Sequence, residues 1–341
     1  SAQVAGEKES RLRDMAREDI LEPDPVTREE AMRHPRFAPF WTQGEKEEWG
    51  GLWSRGCFKK WNLKDLKDND RVFGSRYHYK IKRDTVTGQI KRFKVRLVVQ
   101  GHLMKDGVDY EESYAPVPHA VAGRTIMSLA VANSLHLHAV DLTQAFIQAD
   151  KIPEGVNGRV FIRPPRGSEE DDPSVVYEVL RPLYGIPSSA RALHLTLDRY
   201  LKSEGFQQVG CEQSVWQRPA GGKYSARIIL SAHIDDNLIA CESMKVLQDF
   251  KRDFLQRFDG TDEGEVSQYL GCQFSRDWKA GTGSLSQKVY AEKMLQKYDM
   301  WNAHPVKTPM EAGVRLTKAD CPEVVDPQLQ HRYRSVCGEL G

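Results

Sequence analysis

Two adjacent acids, Asp235 and Asp236, stand between apolar stretches at 226–234 and 238–240. Two strands joined by Asp-Asp-Asn predict a tight hairpin with both carboxylates at its tip. Neighbouring carboxylates beside buried strands repel each other, which raises a pKa unless a cation is bound. Mg²⁺ would remove that conflict, because it prefers carboxylate oxygens and takes its remaining ligands from water and substrate phosphates. Asp and Asn are also common turn formers, so the pair alone fits an ordinary turn equally well.

A third acid, Asp141, follows another apolar strand, predicted at 135–140. Three carboxylates at the ends of two strands can hold two metal ions about 3.5–4 Å apart. Such a site clamps the attacking and leaving oxygens of a phosphoryl transfer, a reaction in which the protein mainly positions groups and stabilises charge. The three acids together therefore favour metal-dependent phosphoryl chemistry over an ordinary turn.

A strongly basic stretch covers residues 71–105, which carry ten Lys or Arg against a single acid. Polar and apolar residues alternate along 77–82 and again along 93–99, and Thr87-Gly88 between them is a turn signal. The pattern predicts a β-hairpin with one basic face. Such a face is either simply solvated or meets an anionic partner, because many like charges repel each other.

Apolar spacing indicates three helices, at about 121–134, 188–205 and 243–258. Four apolar residues share one face of the third helix, namely Leu247, Phe250, Phe254 and Phe258. Strands are interleaved with these helices in mixed order. That order predicts an α+β fold with a sheet covered on one side.

The 341 residues are 40% hydrophobic, which is enough for the core of two or three domains. A net charge of +1 predicts no nucleic-acid partner by itself, so that prediction depends on where the charges lie. No apolar run is long enough for a transmembrane helix, and the charged N-terminal region lacks the apolar segment of a secretory signal. The six cysteines form no CxxC pair, which argues against a zinc site and favours a reducing compartment.

Eight short motifs follow one another along the chain. They occupy residues 94–101, 107–117, 137–146, 183–192, 233–236, 269–271, 308–310 and 333–338. In this order they resemble the KARLVAKG, GIDYxETFSPV, LHQLDVKNAF, LYGLKQSPRAW, YVDD, FLG, STPM and YRSxVG motifs of Ty1/copia-type LTR retrotransposon reverse transcriptases. Each motif is weak alone, but eight in the right order cover about residues 37–338. The chain therefore resembles the polymerase region of the family's Pol polyprotein.

The resemblance implies an α+β right-hand polymerase, with fingers, a palm built on an antiparallel sheet and a small helical thumb. The expected divisions are a charged N-terminal extension at 1–36, fingers and palm at 37–275 (fingers about 60–133 and 155–190, palm about 134–154 and 191–275) and a thumb at 276–341. In the family an RNase H domain follows. The chain stops soon after the last motif and has no second cluster of acids, so we expect polymerisation without RNA-strand cleavage.

The resemblance also implies an activity, namely RNA-directed and DNA-directed DNA polymerisation on a retrotransposon template by two-metal nucleotidyl transfer. Asp141, Asp235 and Asp236, with the backbone of Leu142, would bind two Mg²⁺ ions, for which Mn²⁺ can substitute. A primer 3′-hydroxyl would attack the α-phosphate of a dNTP. One metal would lower the hydroxyl pKa and the other would neutralise the leaving pyrophosphate.

Other positions take roles from the same motifs. Phe146 would clash with a ribose 2′-hydroxyl and so select deoxynucleotides, although an aromatic ring there also fits a place in the core. Lys94 and Arg96 alternate onto one face of their strand and would meet the triphosphate. Gly185 would let the backbone approach the nucleotide. The residues expected at primer and template are His233, Tyr269, Leu270, Gly271, Lys80 and Lys82.

Three positions depart from the family's pattern. His233 replaces an aromatic residue, residues 187–190 replace the KQSP segment, and Thr261 stands where a lysine could protonate the pyrophosphate. We therefore assign no general acid. His233 and Thr261 motivate one alternative, a domesticated, catalytically weak protein that only binds nucleic acid. A second alternative is a two-metal nuclease or phosphatase, which would need neither Phe146 nor the basic hairpin.

The expected partners are an RNA template, a DNA or RNA primer and dNTPs, with no membrane involved. A dimer, or association with other Pol products, stays open. The resemblance implies a cytoplasmic location that includes virus-like particles, with access to the nucleus. His136, His138 and His194 lack metal-ligand spacing and are expected to be structural.

Overall fold

The computed structural model describes residues 23–83, 89–150, 159–308, 310–311 and 313–340. The chain forms two compact units, Ser1–Glu265 and Val266–Gly341. Within the described residues, no helix combines the length and the apolar composition that crossing a bilayer requires.

The helices of the described residues are α1 (Arg28–Arg33), α2 (Ala38–Ser54), α3 (Ala120–Ala132), α4 (Ser189–Ser203), α5 (Met244–Arg257), α6 (Lys288–Lys297) and α7 (Pro327–Leu340). The strands are β1 (Phe58–Asn62), β2 (Arg71–Phe73), β3 (Ser75–Arg83), β4 (Ile90–Val99), β5 (His136–Leu142), β6 (Val160–Ile162), β7 (Val175–Val179), β8 (Gln207–Val209), β9 (Glu212–Arg218), β10 (Ile228–His233), β11 (Asp236–Cys241), β12 (Gly260–Glu265), β13 (Gln268–Tyr269), β14 (Cys272–Asp277) and β15 (Thr282–Ser286). The predicted mixture of helices and strands is confirmed. The strands form four separate sheets.

The basic hairpin is confirmed as β3 and β4, which pair antiparallel. Buried and exposed residues alternate along β3, so its aromatic and aliphatic side chains enter a core while its basic side chains face solvent. The predicted turn at Thr87-Gly88 lies outside the described residues. Among the described residues, one edge of β4 has no strand partner, and α2 packs against this strand.

Helix α2 packs closely on β4. Three glycines and the absence of a side-chain cap make it intrinsically weak. It is stabilised instead by burying Trp41, Trp49 and Leu52. The fit is close at Gly44, where a Cβ atom would lie 2.7 Å from Cγ2 of Val95.

Packing begins earlier in the chain than the expected extension at 1–36 allows. Thr27 and Glu30 form a capping box at the start of α1, and Ala31 is fully buried. The carboxylate of Asp24 accepts from the backbone N–H of Ile81 at 2.6 Å and pairs with Lys80 at 2.6 Å. The ion pair and backbone hydrogen bond of Asp24, together with the buried Ala31, thus hold in the fold a segment that composition alone describes as an extension.

A six-stranded antiparallel sheet has the order β12-β5-β11-β10-β9-β8. Helices α4 and α5 bury their apolar faces in one core with this sheet, including the four apolar residues predicted for α5. Alternate residues of β10 such as Ile229 and Ser231 are also buried, and α3 contacts β5, β10 and β11. The centre of the sheet is therefore covered on both faces, not on one as predicted.

A four-stranded sheet, β1-β7-β6-β2, joins segments that are distant in sequence. Its β1 and β7 pair antiparallel, whereas β2 and β6 pair parallel. Its buried residues share a core with α1, α2 and the β3–β4 hairpin. Propensity alone could not reveal these pairings, because they depend on contacts more than eighty residues apart.

The second unit contains β13, β14 and β15 in one small sheet, together with α6 and α7. The hydroxyl of Tyr290 on α6 donates to the backbone carbonyl of Glu339 on α7 at 2.9 Å. The unit begins before the expected thumb boundary at 275, because β13 pairs with β14 and β14 pairs with β15, rather than with the six-stranded sheet. The division into fingers, palm and thumb stays a prediction.

Candidate active site

The acid Asp141 lies near the end of β5, between the buried side chains of Val140 and Leu142. Because strand residues alternate, burying these two neighbours directs Asp141 to the opposite face of the sheet. Its side chain is half-buried. Local sequence alternation therefore places this carboxylate at the end of a well-anchored strand.

The hairpin of β10 and β11 brings the other two acids to the same end of the sheet. Its two-residue turn is Ile234–Asp235, and Asp236 is the first residue of β11, directly opposite Asp141. The backbone N–H of Leu142 donates to the carbonyl oxygen of Asp235 at 2.9 Å. The turn lies one residue earlier than Asp-Asp-Asn predicted, since Asp236 already pairs with β5.

The Ile234–Asp235 turn has a strained backbone and is held in place by hydrogen bonds from a neighbouring side chain. Ile234 has φ +58°, a left-handed conformation that β-branched residues rarely adopt. The buried side-chain amide of Asn237 donates to the carbonyls of Val140 at 3.3 Å and Asp235 at 3.0 Å. These bonds join the hairpin to β5 and so hold the acids on the two strands together.

The acids repel one another. Partial desolvation raises the pKa of the Asp141 carboxyl, and the charges of Asp235 and Asp236 raise it further. The pKa of Asp236 is likewise raised, by desolvation and then by Asp235. A bound cation would relieve this repulsion, so the donor set fits Mg²⁺ in chemistry and charge. Within the described ranges, no three His, Cys, Asp or Glu side chains are already assembled as a metal cluster.

Two lysines of the β3–β4 hairpin interact with these acids. Lys94 opposes the shift in the pKa of Asp141, and Lys82 opposes that of Asp236. Burial, followed by the nearby charges of Arg96 and Lys82, lowers the pKa of Lys94 itself. Basic side chains of the hairpin next to the three aspartates suit a ligand that carries both phosphates and a metal ion.

Tyr184 connects two of the predicted nucleotide-binding residues. The guanidinium of Arg96 lies 4.8 Å from the centre of the Tyr184 ring. The Phe146 ring meets the same tyrosine edge-on, with ring centroids 4.8 Å apart. Phe146 lies in the 3-10 helix Ala145–Gln148 and is only partly buried in the core, so its ring also reaches the surface. Tyr184 further interacts electrostatically with Asp235.

Gly185 has a clear packing role. Its φ of +91° is favourable only for glycine, and a Cβ atom would lie 2.1 Å from the carbonyl oxygen of Val99. The backbone N–H of Val99 donates to the carbonyl of Tyr184 at 2.8 Å. Gly185 therefore lets the loop that carries Tyr184 lie directly against the end of β4.

The residues expected at primer and template are divided between the two units. His233 pairs with Asp236 across the hairpin and lowers its pKa, whereas Lys80 is paired with Asp24. Lys82 also lies on β3 in the first unit, and the other three lie in the second unit, where Leu270 and Gly271 form a left-handed turn between β13 and β14. These three are Tyr269, Leu270 and Gly271.

Sequence reasoning missed an acid near the site. Glu263 raises the pKa of both Asp141 and Asp236. It lies at a bulge in β12, where the pairing with β5 shifts between Asp262 and Gly264. No sequence motif marked this position. Thr261, the residue that replaces the family's lysine, lies directly opposite Asp141 in the same pairing.

A buried polar network ties α5 to β5 and β12. The ammonium of Lys251, whose residue is 1% exposed, lies 2.7 Å from Nδ1 of His138. It also donates to both carboxylate oxygens of Asp262, at 2.8 and 2.7 Å. His138 is thus structural, as expected. His194 packs near Trp216, with ring centroids 5.6 Å apart.

Comparison with known proteins identifies the family. The family described as reverse transcriptase (RNA-dependent DNA polymerase) matches residues 58–312. The retrovirus-related Pol polyprotein from transposon TNT 1-94 of Nicotiana tabacum is 29% identical over 93% of this chain. Those from transposons RE1 and RE2 of Arabidopsis thaliana are 29% and 28% identical over 74% of the chain.

The chain therefore belongs to the reverse transcriptase family. Its relatives are transposon Pol polyproteins, and the resemblance to the copia-type reverse transcriptase region is confirmed. The chain spans only 23% of the tobacco polyprotein and 16% of RE1.

Proposed function

We propose that this chain is an RNA-directed and DNA-directed DNA polymerase that copies a retrotransposon template. The observation that carries the proposal is the pairing of Asp236 with Asp141 on adjacent strands, with Asp235 in the turn beside them. Family membership supports the same reaction. The substrates would be dNTPs, an RNA or DNA template and a DNA or RNA primer.

The three aspartates would hold two Mg²⁺ ions, or Mn²⁺, with the backbone of Leu142 as a further ligand. When bound, these ions would activate the primer 3′-hydroxyl and neutralise the leaving pyrophosphate. Lys94, together with Arg96, would bind and orient the triphosphate. The charge interactions of Lys94 with Asp141 support this role.

The proposed architecture is a right hand. The six-stranded sheet would be the palm, the β3–β4 hairpin would belong to the fingers, and the second unit would supply the thumb. His233, Lys80 and Lys82, with residues 269–271, would contact primer and template. Gly185 would help to shape the nucleotide site by keeping Tyr184 against the end of β4.

Primer extension on an RNA template with dNTPs and Mg²⁺ tests the proposal directly. We expect the wild type to extend the primer and Asp235→Asn to lose nearly all extension, because a neutral amide is a poor metal ligand. Asp249→Asn is the matched control. Asp249 lies on α5 and pairs only with Arg252 of the same helix in the described contacts, so extension should be unchanged.

Other outcomes separate the alternatives. A wild type that retards primer–template duplexes but extends none would support the domesticated binding protein. Degradation of the template would support the nuclease. Equal extension by wild type and Asp235→Asn would overturn the assignment of the acids.

The substitution Phe146→Val should allow ribonucleotides to be incorporated. The smaller side chain would no longer block a 2′-hydroxyl, so the preference for dCTP over rCTP in kcat/KM should fall by about tenfold to a hundredfold. Single-nucleotide incorporation with each substrate measures the ratio. Equal loss on both substrates would instead mean that Phe146 serves packing through its contact with Tyr184.

A further inference from the structure

Glu48 is a buried acid on α2, before the part of the chain that matches the family. Burying a carboxylate destabilises the folded protein unless its oxygens accept hydrogen bonds. Oε1 accepts from the backbone N–H of Leu97 at 3.0 Å. Oε2 accepts from the side-chain amide of Gln144 at 3.1 Å. One carboxylate therefore joins three segments that are far apart in sequence.

The first of these bonds holds β4. In the part of the chain that the structure describes, the β3–β4 sheet has two strands, so a backbone N–H on the outer edge of β4 finds no acceptor on a neighbouring strand there. Glu48 supplies that acceptor at Leu97, next to Arg96. It also interacts electrostatically with Arg96 and Lys94. The carboxylate thus fixes the backbone, and balances the charge, of the two cations assigned to the triphosphate.

The second bond holds the turn after Asp141. Gln144 has φ 49° and ψ 49°, a left-handed conformation that residues other than Gly, Asn and Asp seldom adopt. It starts the 3-10 helix that carries Phe146. Helix α2 approaches closely here, since a Cβ atom on Gly51 would lie 3.9 Å from Nε2 of Gln144.

We propose that Glu48 is a positioning residue for nucleotide selection. By binding Leu97 and Gln144 together, it sets the spacing between the strand that carries Lys94 and Arg96 and the turn that carries Phe146. Its described hydrogen bonds are to protein groups, so it acts through other residues. The inference rests on the proposed polymerase function, which assigns those residues to the incoming dNTP.

A charge exchange tests the bond itself. Glu48→Gln leaves one carbonyl oxygen in place of two acceptor oxygens and sets two amide groups against each other, and Gln144→Glu places two carboxylates against each other. In the double variant Glu48→Gln/Gln144→Glu, the new amide can accept from Leu97 and donate to the new carboxylate. We expect each single variant to raise the KM for dNTP about tenfold with a smaller change in kcat, and to weaken selection against rCTP. The double variant should return to within about twofold of the wild type.

Glu45→Gln is the matched control. Glu45 is also buried on α2 and accepts from Tyr79 and Arg28, so it contacts the hairpin but not the turn. We expect this change to lower the melting temperature and to leave the KM for dNTP unchanged. An equal rise in KM for Glu45→Gln would show that helix docking alone matters and would overturn the proposal.

Thermal melting of the same variants tests the role of Glu48 separately from the proposed polymerase function. Coupling between positions 48 and 144 should appear as non-additive shifts in melting temperature, whether or not the protein is active. Additive shifts, or a double variant that stays as impaired as the singles, would refute the role of Glu48. A wild type that extends no primer would refute the polymerase and the positioning role together, and coupling in the melts would then mark the bond as purely structural.

Discussion

Replacing Asp141 by asparagine is expected to lower primer extension by about a thousandfold and to raise the melting temperature by about 3 °C without Mg²⁺. The two effects have one cause. The carboxyl pKa of Asp141 is raised by desolvation and by Asp235 and Asp236. Removing one negative charge relieves that repulsion, but it also removes a ligand that a catalytic metal would need.

Added Mg²⁺ should make the wild type more stable than Asp141→Asn, which reverses their order without metal. A ligand that binds only the folded protein raises its melting temperature with concentration, so the wild type should gain stability as Mg²⁺ is titrated. Asp141→Asn should gain much less, and Asp249→Asn should follow the wild type. Melting curves across a Mg²⁺ series measure this. A variant that melts below the wild type without metal would show that Asp141 supports the fold rather than the site.

Lys251→Met should destabilise the first unit. It would leave His138 and Asp262 without the ammonium that joins them, and breaking a buried ion pair normally costs about 3–5 kcal/mol. The Asp262 side chain is 36% exposed, so solvent screening reduces the expected loss to about 2 kcal/mol. Lys245→Met on the exposed face of the same helix should change the free energy of unfolding by less than about 0.5 kcal/mol.

The pH dependence of unfolding should report the same network. Burial and then Lys251 lower the pKa of His138, so the unfolded chain takes up that proton first as pH falls below about 6.5. Burial alone would raise the pKa of Asp262, but the hydrogen bonds from Lys251 and from the backbone N–H of Gly264, together with the charge of Lys251, lower it overall. Its contribution to stability is present above about pH 4 and is lost as pH falls through the lowered folded value.

Denaturant unfolding of the wild type should therefore show falling stability on acidification, first below about pH 6.5 and again below about pH 4. In Lys251→Met both steps should shrink, because the ammonium adds to the lowering of both pKa values, although burial, the main cause for His138, remains. Parallel pH profiles for the variant and the wild type would contradict this account of the network.

The elements nearest the chemistry were predictable because their signals are local. Alternation along β3 and β4 and the apolar faces of α4 and α5 follow directly from side-chain periodicity. The three acids were expected in one site because each lies at the end of an apolar strand, but the direct pairing of Asp141 with Asp236 was not predicted. The assigned roles of these residues in catalysis stay predictions.

The supporting residues were not predictable, because their surroundings are assembled from distant segments. Glu48 lies in a stretch rich in charge, and charged residues usually face solvent, yet its partners are Leu97 and Gln144. Glu263 is brought towards the acids by a bulge that no residue pattern signals. Lys251 lies on the buried face of α5, and its partners His138 and Asp262 are supplied by β5 and β12, which are distant from each other in sequence.

The packing of α2 on β4 has a practical consequence for cutting this chain into smaller pieces. A fragment starting at residue 58, where the family match begins, would leave Val95 without its partner at Gly44. It would also expose the outer backbone edge of β4, a ready template for strand addition by another molecule. Expression boundaries for a soluble fragment should therefore include α1 and α2, because these helices shield the hairpin from aggregation.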